Sequence, residues 1–385
     1  MVSNWEYHSY CHPSSVFPAK EEPLKVREHL DAEIPIVLPE ISACRGPLQD
    51  WPFDVPFPPR ISPERERVTE HSRIWVQRMG LRSNPAELRQ HDRYDMPLFV
   101  CLSYPDATGP ELDLISDWVC WWAIWNDLTD DPGFLNNPHE VNRFFSSLAA
   151  VVASPDAASD RDLPAQPDSF VAAFVDLWQR WRHGMSPTYI ARTGKNWMNW
   201  FNSWITENHN RRNAVTLDVP SYHELRDVTG AVDLELDGAE RVGHYEVPPG
   251  ILASRIIHDM RQITIRVINI TQDVQSLPKE EKAGDQHNLV LVLEREQSCT
   301  REQALREVHT MIRRWTDAFL THEAAVPRLL DQLALPLTER WPVYKHVADM
   351  RTMMKGGVDF CAASGRYAQP HTDTNTGTGH SHPAF

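Results

Sequence analysis

The sequence predicts an all-α fold, a single helical bundle of ten or more helices, on three observations. Apolar and aromatic residues recur at i, i+3, i+4 and i+7 over most of the chain, the period of a helix face. Glycine is scarce, 16 residues against 30 prolines in 385. No G-x-G-x-x-G or P-loop string occurs, so a glycine-rich nucleotide-binding α/β fold is disfavoured. Sustained two-residue alternation is absent apart from short ambiguous runs such as IPIVLP at 34–39.

Taken in order, residues 1–60 hold ten of the prolines and end in WPFDVPFPPR, which reads as an extended arm. Helical periodicity runs from about 63 to 368. Trp118, Trp121, Trp122 and Trp125 share one helix face, and Trp197, Trp200, Phe201 and Trp204 repeat the pattern. Ile256, Met260, Ile263, Val267, Ile270 and Val274 extend over five turns. Ile265 and Ile268 lie off that stripe, so this helix is apolar on more than one side and belongs inside the bundle. A fourth stripe comprises Ala304, Val308, Met311, Trp315 and Phe319. Core packing and the lining of a pocket both account for such aromatic stripes. From 369 the chain ends in a low-complexity tail rich in Thr, His and Gly, expected to be disordered.

The formal charge of −15 argues against a nucleic-acid surface and against anionic lipid, both of which require clustered Lys and Arg. No apolar run reaches transmembrane length, and the first residues lack the basic and apolar parts of a secretory signal. The six cysteines, without a C-x-x-C pair, read as reduced core thiols. The expectation is a cytoplasmic protein.

Two strings carry chemistry. The first Trp helix ends in Asn126-Asp127-Leu128-Thr129-Asp130-Asp131. Three carboxylates this close repel one another and oppose the negative end of the helix dipole. A solvated acidic terminus or a bound cation would each relieve them, and oxygen-only donors suit Mg²⁺. The second string runs from Asn269 to Glu281 and sets Gln272, Ser276 and Glu280 at i, i+4 and i+8 with Lys279 beside them. It is either a second oxygen-rich cation site or an exposed helix end that breaks at Pro278.

Together the strings resemble the class I terpene synthases of the microbial single-domain, sesquiterpene cyclase type. N-D-L-T-D at 126–130 is similar to that family's aspartate-rich D-D-x-x-D motif. Q-D-V-Q-S-L-P-K-E at 272–280, starting 146 residues later, is similar to its N-D-x-x-S-x-x-K-E motif. Arg226-Asp227-Val228-Thr229-Gly230 looks like the diphosphate-sensing arginine with its linker and effector glycine. Arg366-Tyr367 looks like the C-terminal R-Y pair, and Ser103 to Ala107 resembles the segment before the aspartate-rich helix. The resemblance covers about residues 55–368, within a cyclase domain at 61–368.

The resemblance implies a Mg²⁺-dependent cyclase, with three Mg²⁺ per active site, that ionises an allylic prenyl diphosphate. Farnesyl diphosphate is the implied substrate. A diterpene cyclase using geranylgeranyl diphosphate and a non-catalytic prenyl-diphosphate-binding relative are the alternatives. The metal ligands it implies are Asn126, Asp127, Asp130, Asp131, Gln272, Ser276 and Glu280. Arg226, Lys279, Arg366 and Tyr367 would bind diphosphate, with Gly230 as the effector, and Phe99, Trp122 and Phe360 would line the central apolar pocket. Loops near 230–250 and 366–370 would close over the substrate. No partner beyond the small molecule is implied, and the chain would be a monomer or homodimer. Departures from the family pattern are Asn126 for its first aspartate, Gln272 for its asparagine, Pro278 inside the second motif, and Phe360 where a Trp is usual. Asn126 cannot bridge two ions, so the resemblance transfers that role to Asp127 first and Asp130 second.

Overall fold

A computed structural model describes residue 53 and residues 55–129, 138–153 and 169–364. Asp130, Asp131, Arg366 and Tyr367 lie outside the described residues, as does the C-terminal tail. Among the described residues the only regular structure is helical, in fourteen segments. They are α1 (Arg65–Arg78), α2 (Pro85–Tyr94), α3 (Met96–Ser103), α4 (Gly109–Thr129), α5 (Pro138–Ala153), α6 (Ser169–Arg182) and α7 (Pro187–Arg212). Then follow α8 (Val219–Thr229), α9 (Val232–Val242), α10 (Pro249–Leu252), α11 (Arg255–Ala283), α12 (Leu289–Gln297), α13 (Arg301–Gln332) and α14 (Leu337–Ala363).

The starts of these helices are written locally. Asn84 accepts hydrogen bonds from the Ala86 and Glu87 amides, and Glu87 reaches back, closing a capping box at α2. Thr300 and Gln303 do the same for α13. Asp218 caps α8 and Asn288 caps α12. Gly284, at φ +74°, ends α11 in the left-handed conformation.

The helix over the 256–274 stripe is the centre of the bundle. Helix α11 packs against α8, α9, α12, α13 and α14, and its residues from Ile257 to Leu277 are buried on nearly every side. It runs straight through Pro278 to Ala283, so the expected break there does not occur. The two Trp stripes meet across α4 and α7. Trp121 and Trp125 lie 4.9–6.4 Å, centroid to centroid, from the rings of Phe170, Phe174, Trp197 and Trp200 they touch. Each fully buried Trp removes about 150–250 Å² from water, about 4–6 kcal/mol of transfer free energy before ordering entropy is subtracted.

Glycine sets one close approach in the frame. A Cβ on Gly356 would stand 2.8 Å from the Leu102 backbone, so α14 reaches α3 only without a side chain there. The described end of the arm has no regular structure. Phe53 stacks on His309 at 4.5 Å and Phe57 meets Phe319 edge-on at 5.8 Å, so this end is pinned to α13. Residues 230–250, expected as a closing loop, are mostly the helices α9 and α10.

Candidate active site

Four helices, α4, α7, α8 and α11, and the segment leading into α12 frame a polar cleft of about 100 Å³. Asn126 enters it from α4, Arg226 from α8, and Gln272, Ser276, Lys279 and Glu280 from α11. The i, i+4, i+8 spacing on a straight helix is what brings the last set to one face. These residues come from both motifs and meet although 146 positions separate the two starts.

The donor set is oxygen-rich. The Asn126 amide oxygen is buried and has no hydrogen-bond partner. The Gln272 side-chain oxygen accepts from Arg226 at 3.3 Å. Ser276 Oγ donates to the Asp273 carbonyl at 3.4 Å and also interacts with the Glu280 carboxyl. The Glu280 carboxyl accepts from Asn288 Nδ2 at 2.7 Å. Burial, and then the charge of nearby Asp273, push the Glu280 pKa above the usual carboxylate range. An orphaned amide oxygen, a hydroxyl and a carboxyl under electrostatic pressure suit a hard divalent cation. Among the described residues no three His, Cys, Asp or Glu side chains form a metal cluster, because two of the donors here are amides and one is a hydroxyl.

Arg226 is held in place rather than free to swing. Its Nε donates to Asp273 Oδ1 at 3.1 Å, and Tyr222 donates its hydroxyl to the same carboxylate. Burial opposes the arginine's charge, but Asp273 together with Tyr222, Glu280 and Glu207 outweighs it and raises the pKa further above its ordinary value. Gly230 closes α8 directly against α11. A Cβ there would fall 1.9 Å from the Asn269 side-chain oxygen, while Asn269 Nδ2 donates to the Arg226 carbonyl at 2.9 Å. Ala231 follows at φ +63°, a left-handed turn that starts α9 on a new axis.

One expected ligand points elsewhere. Asp127 accepts from Arg82 at 2.8 Å, from Tyr94 at 3.0 Å and from Gln90, all outside the cleft. Successive helix residues diverge by about 100°, so Asn126 in the cleft turns Asp127 toward α2. In this arrangement the Asp127 carboxylate, expected as the bridging ligand, braces α4 against Arg82, Gln90 and Tyr94. Residues not anticipated also line the cleft. Glu207, Arg211, Asp285 and His287 form a chain of ion pairs, Glu207–Arg211 at 3.2 Å, Arg211–Asp285 at 2.8 Å and Asp285–His287 at 3.1 Å. Trp204, Glu207 and Arg211 continue the Trp stripe of α7 at helical spacing, the one signal that could have found them.

The second space is apolar. Met96, Phe99, Trp118, Val119, Trp122, Ala231 and Phe360 wall it, with Phe99 and Phe360 edge to face at 5.4 Å. Trp122 and Gln272 line both spaces, so the polar cleft and the apolar cavity share a wall. In the structure the cavity holds about 10 Å³, so a bound hydrocarbon must part these side chains.

An all-helical bundle with an oxygen-lined cleft next to an aromatic cavity is the architecture that the resemblance implies. The model of Terpene synthase family 2, C-terminal metal binding, matches residues 117–318. Pentalenene synthase of Streptomyces avermitilis is 32% identical over 83% of this chain and 94% of its own length. A (−)-β-caryophyllene synthase of Saccharothrix espanaensis, described as (2E,6E)-farnesyl diphosphate cyclizing, is 28% identical over 83% of this chain and 89% of its own. The crystal structure of germacradien-4-ol synthase from Streptomyces citricolor superimposes with a TM-score of 0.73, covering 82% of this chain and 99% of that one at 24% identity. The chain belongs to the terpene synthase family. It is a metal-binding enzyme of that family with an all-α fold.

Proposed function

We propose that the chain is a Mg²⁺-dependent sesquiterpene cyclase that ionises farnesyl diphosphate and closes the carbocation into a ring, releasing diphosphate. The observation that carries this reading is the shared wall: a charged, oxygen-lined cleft lies beside an aromatic cavity, and Trp122 and Gln272 line both. A molecule with a diphosphate head and a hydrocarbon tail fits across that junction. The farnesyl-cyclizing relative at 28% identity supports a fifteen-carbon chain.

Asn126, Gln272, Ser276 and Glu280 would hold the metal, with Asp130 and Asp131 beyond the described residues completing the set for three ions. Bound Mg²⁺ supplies Lewis acidity to the diphosphate and offsets the charge that develops on it. Arg226 donates charge-assisted hydrogen bonds to the diphosphate oxygens, its planar fork held at a fixed angle by Asp273. Lys279 adds a point charge from the same face, and Arg366 with Tyr367 would close over the head group. Phe99, Trp122 and Phe360 exclude water from the cation and stabilise it with their ring faces, which are poor nucleophiles. The Gly230–Ala231 turn couples Arg226 at the head group to Ala231 in the cavity wall, so a pull on the arginine reaches the tail.

Incubation with farnesyl diphosphate and Mg²⁺, followed by mass spectrometry of the hydrocarbons and alcohols, tests the reading. Cyclic fifteen-carbon products and stoichiometric diphosphate are expected, with neither formed once the metal is chelated. No diphosphate release from farnesyl diphosphate, or turnover of geranylgeranyl diphosphate alone, would contradict it.

A further inference from the structure

Helix α9 carries three buried carboxyls, and two of them are paired. Asp237 accepts from Asn196 at 2.8 Å and faces Arg192 and Arg261 at 3.5 and 3.7 Å. Glu240 accepts from Arg192 at 2.8 Å and from the Val247 amide at 3.0 Å. Glu235, on the cavity side of the same helix, is 6% exposed; Tyr104 donates to its backbone carbonyl at 2.9 Å, and burial alone, with no nearby charge, sets the state of its carboxyl. Its Oε2 is buried without a partner. Burial alone pushes its pKa up to about 8, so near neutral pH it keeps its proton. An unpaired buried carboxyl costs folding free energy, as any polar group taken from water without a partner does. Here the acid lines a cavity whose other walls are apolar side chains, among them Phe99, Trp118, Trp122 and Phe360, and Gln272. With hydrocarbon in that cavity, an alkene is the base within reach of its proton.

We propose that Glu235 is a catalytic residue that moves a proton to and from the cyclising chain within the apolar cavity, an inference that rests on the cyclase reading above. The first ring-closed cation loses a proton to an oxygen of the released diphosphate and becomes a neutral polyene. Glu235 then breaks its O–H bond and passes the proton to one alkene carbon. The π pair becomes the new C–H bond, the other alkene carbon becomes cationic, and the carboxylate left behind stabilises that charge at short range. After the second closure, a C–H bond next to the cation returns a proton to Glu235 and its electron pair forms the product double bond. The carboxyl is restored and no co-reactant is consumed. Between turnovers the acid exchanges with solvent.

The test is turnover of farnesyl diphosphate with Mg²⁺ in D₂O, reading diphosphate release and carbon-bound deuterium in the product. The wild type is expected to release diphosphate and to place one carbon-bound deuterium in each product molecule. Glu235→Gln, which keeps size and polarity but has no acid proton to give, is expected to make product without that label. Glu235→Asp, which keeps the acid, is expected to restore it. Diphosphate release with an unlabelled wild-type product would overturn this proposal alone, whereas no diphosphate release would sink the cyclase reading itself. A labelled product from Glu235→Gln would also overturn it. So would a folded Glu235→Gln that releases no diphosphate, since the residue would then act before ionisation. If Glu235→Gln fails to fold, Glu235→Asp carries the test: a labelled product supports the proposal and an unlabelled one overturns it.

Discussion

The ion network around Arg192 and the cleft around Arg226 are built from the same residue types and behave differently. In the network every buried charge meets an opposite one. Arg192 serves Asp237 and Glu240, Arg261 reaches Asp233 at 2.7 Å and His346 at 3.1 Å, and Tyr245 donates to Asp349 at 2.7 Å. In the cavity Glu235 has no cation near it, and in the cleft the Asn126 amide oxygen has no hydrogen-bond partner. Burial without compensation is costly, so the first region spends its polar groups on holding the fold and the second keeps them for a ligand. The difference separates structural from functional charge without reference to sequence position.

The largest effect should come from breaking the network. Arg192→Leu leaves Asp237 and Glu240 buried without their main cation and should cost about 3–5 kcal/mol in denaturant unfolding. A loss below about 1 kcal/mol would mean that the network is dispensable and the comparison false. Next is Arg226→Lys, which keeps the charge but loses the fork that grips two oxygens. It should lower turnover at least ~10²-fold, the equivalent of about 3 kcal/mol of stabilisation. Near-normal turnover would mean that Arg226 does not hold the leaving group.

An effect of opposite sign is expected at Glu235. Its folded-state pKa of about 8 lies above the ordinary 4.5, so folding takes up a proton between those values. The favourable protonated form is fully available below pH 4.5, and stability falls as pH rises from there toward 8, at up to about 1.4 kcal/mol per pH unit. Glu235→Gln removes this dependence. The variant should therefore gain over the wild type in thermal unfolding, most at pH 8 and least at pH 5. Parallel pH profiles for the two proteins would show that Glu235 is paired or solvated in solution.

Much of this was legible before the structure. The four aromatic and aliphatic stripes fall on α4, α7, α11 and α13, because a 3.6-residue period reports burial directly. Gln272, Ser276 and Glu280 share the cleft because i, i+4 and i+8 lie on one face of any straight helix. What could not be read depends on contacts between distant segments. Asp127 looks as good a ligand as Asn126 until Arg82, Gln90 and Tyr94 are seen around it. Asn288, which braces Glu280, reads only as a helix cap. Pro278 reads as a breaker, yet packing around α11 carries the helix through it. Glu235 sits in D-L-E-L-D-G-A-E-R, a string that by itself does not divide its carboxyls into paired and unpaired. Only the packing of α9 shows which of its carboxyls has arginines and which has none.

In this reading Glu280 and the oxygen donors beside it in the cleft serve the metal, while Asp127 serves the frame. Diphosphate release titrated with Mg²⁺ tests it directly, run on the wild type, Glu280→Gln and Asp127→Asn together. The account predicts that Glu280→Gln shifts the half-saturating Mg²⁺ concentration upward by at least about tenfold, the equivalent of about 1.4 kcal/mol. Asp127→Asn, whose carboxylate is committed to Arg82, should overlay the wild type. A Glu280→Gln curve that overlays the wild type, or an Asp127→Asn curve that shifts in its place, would contradict the account.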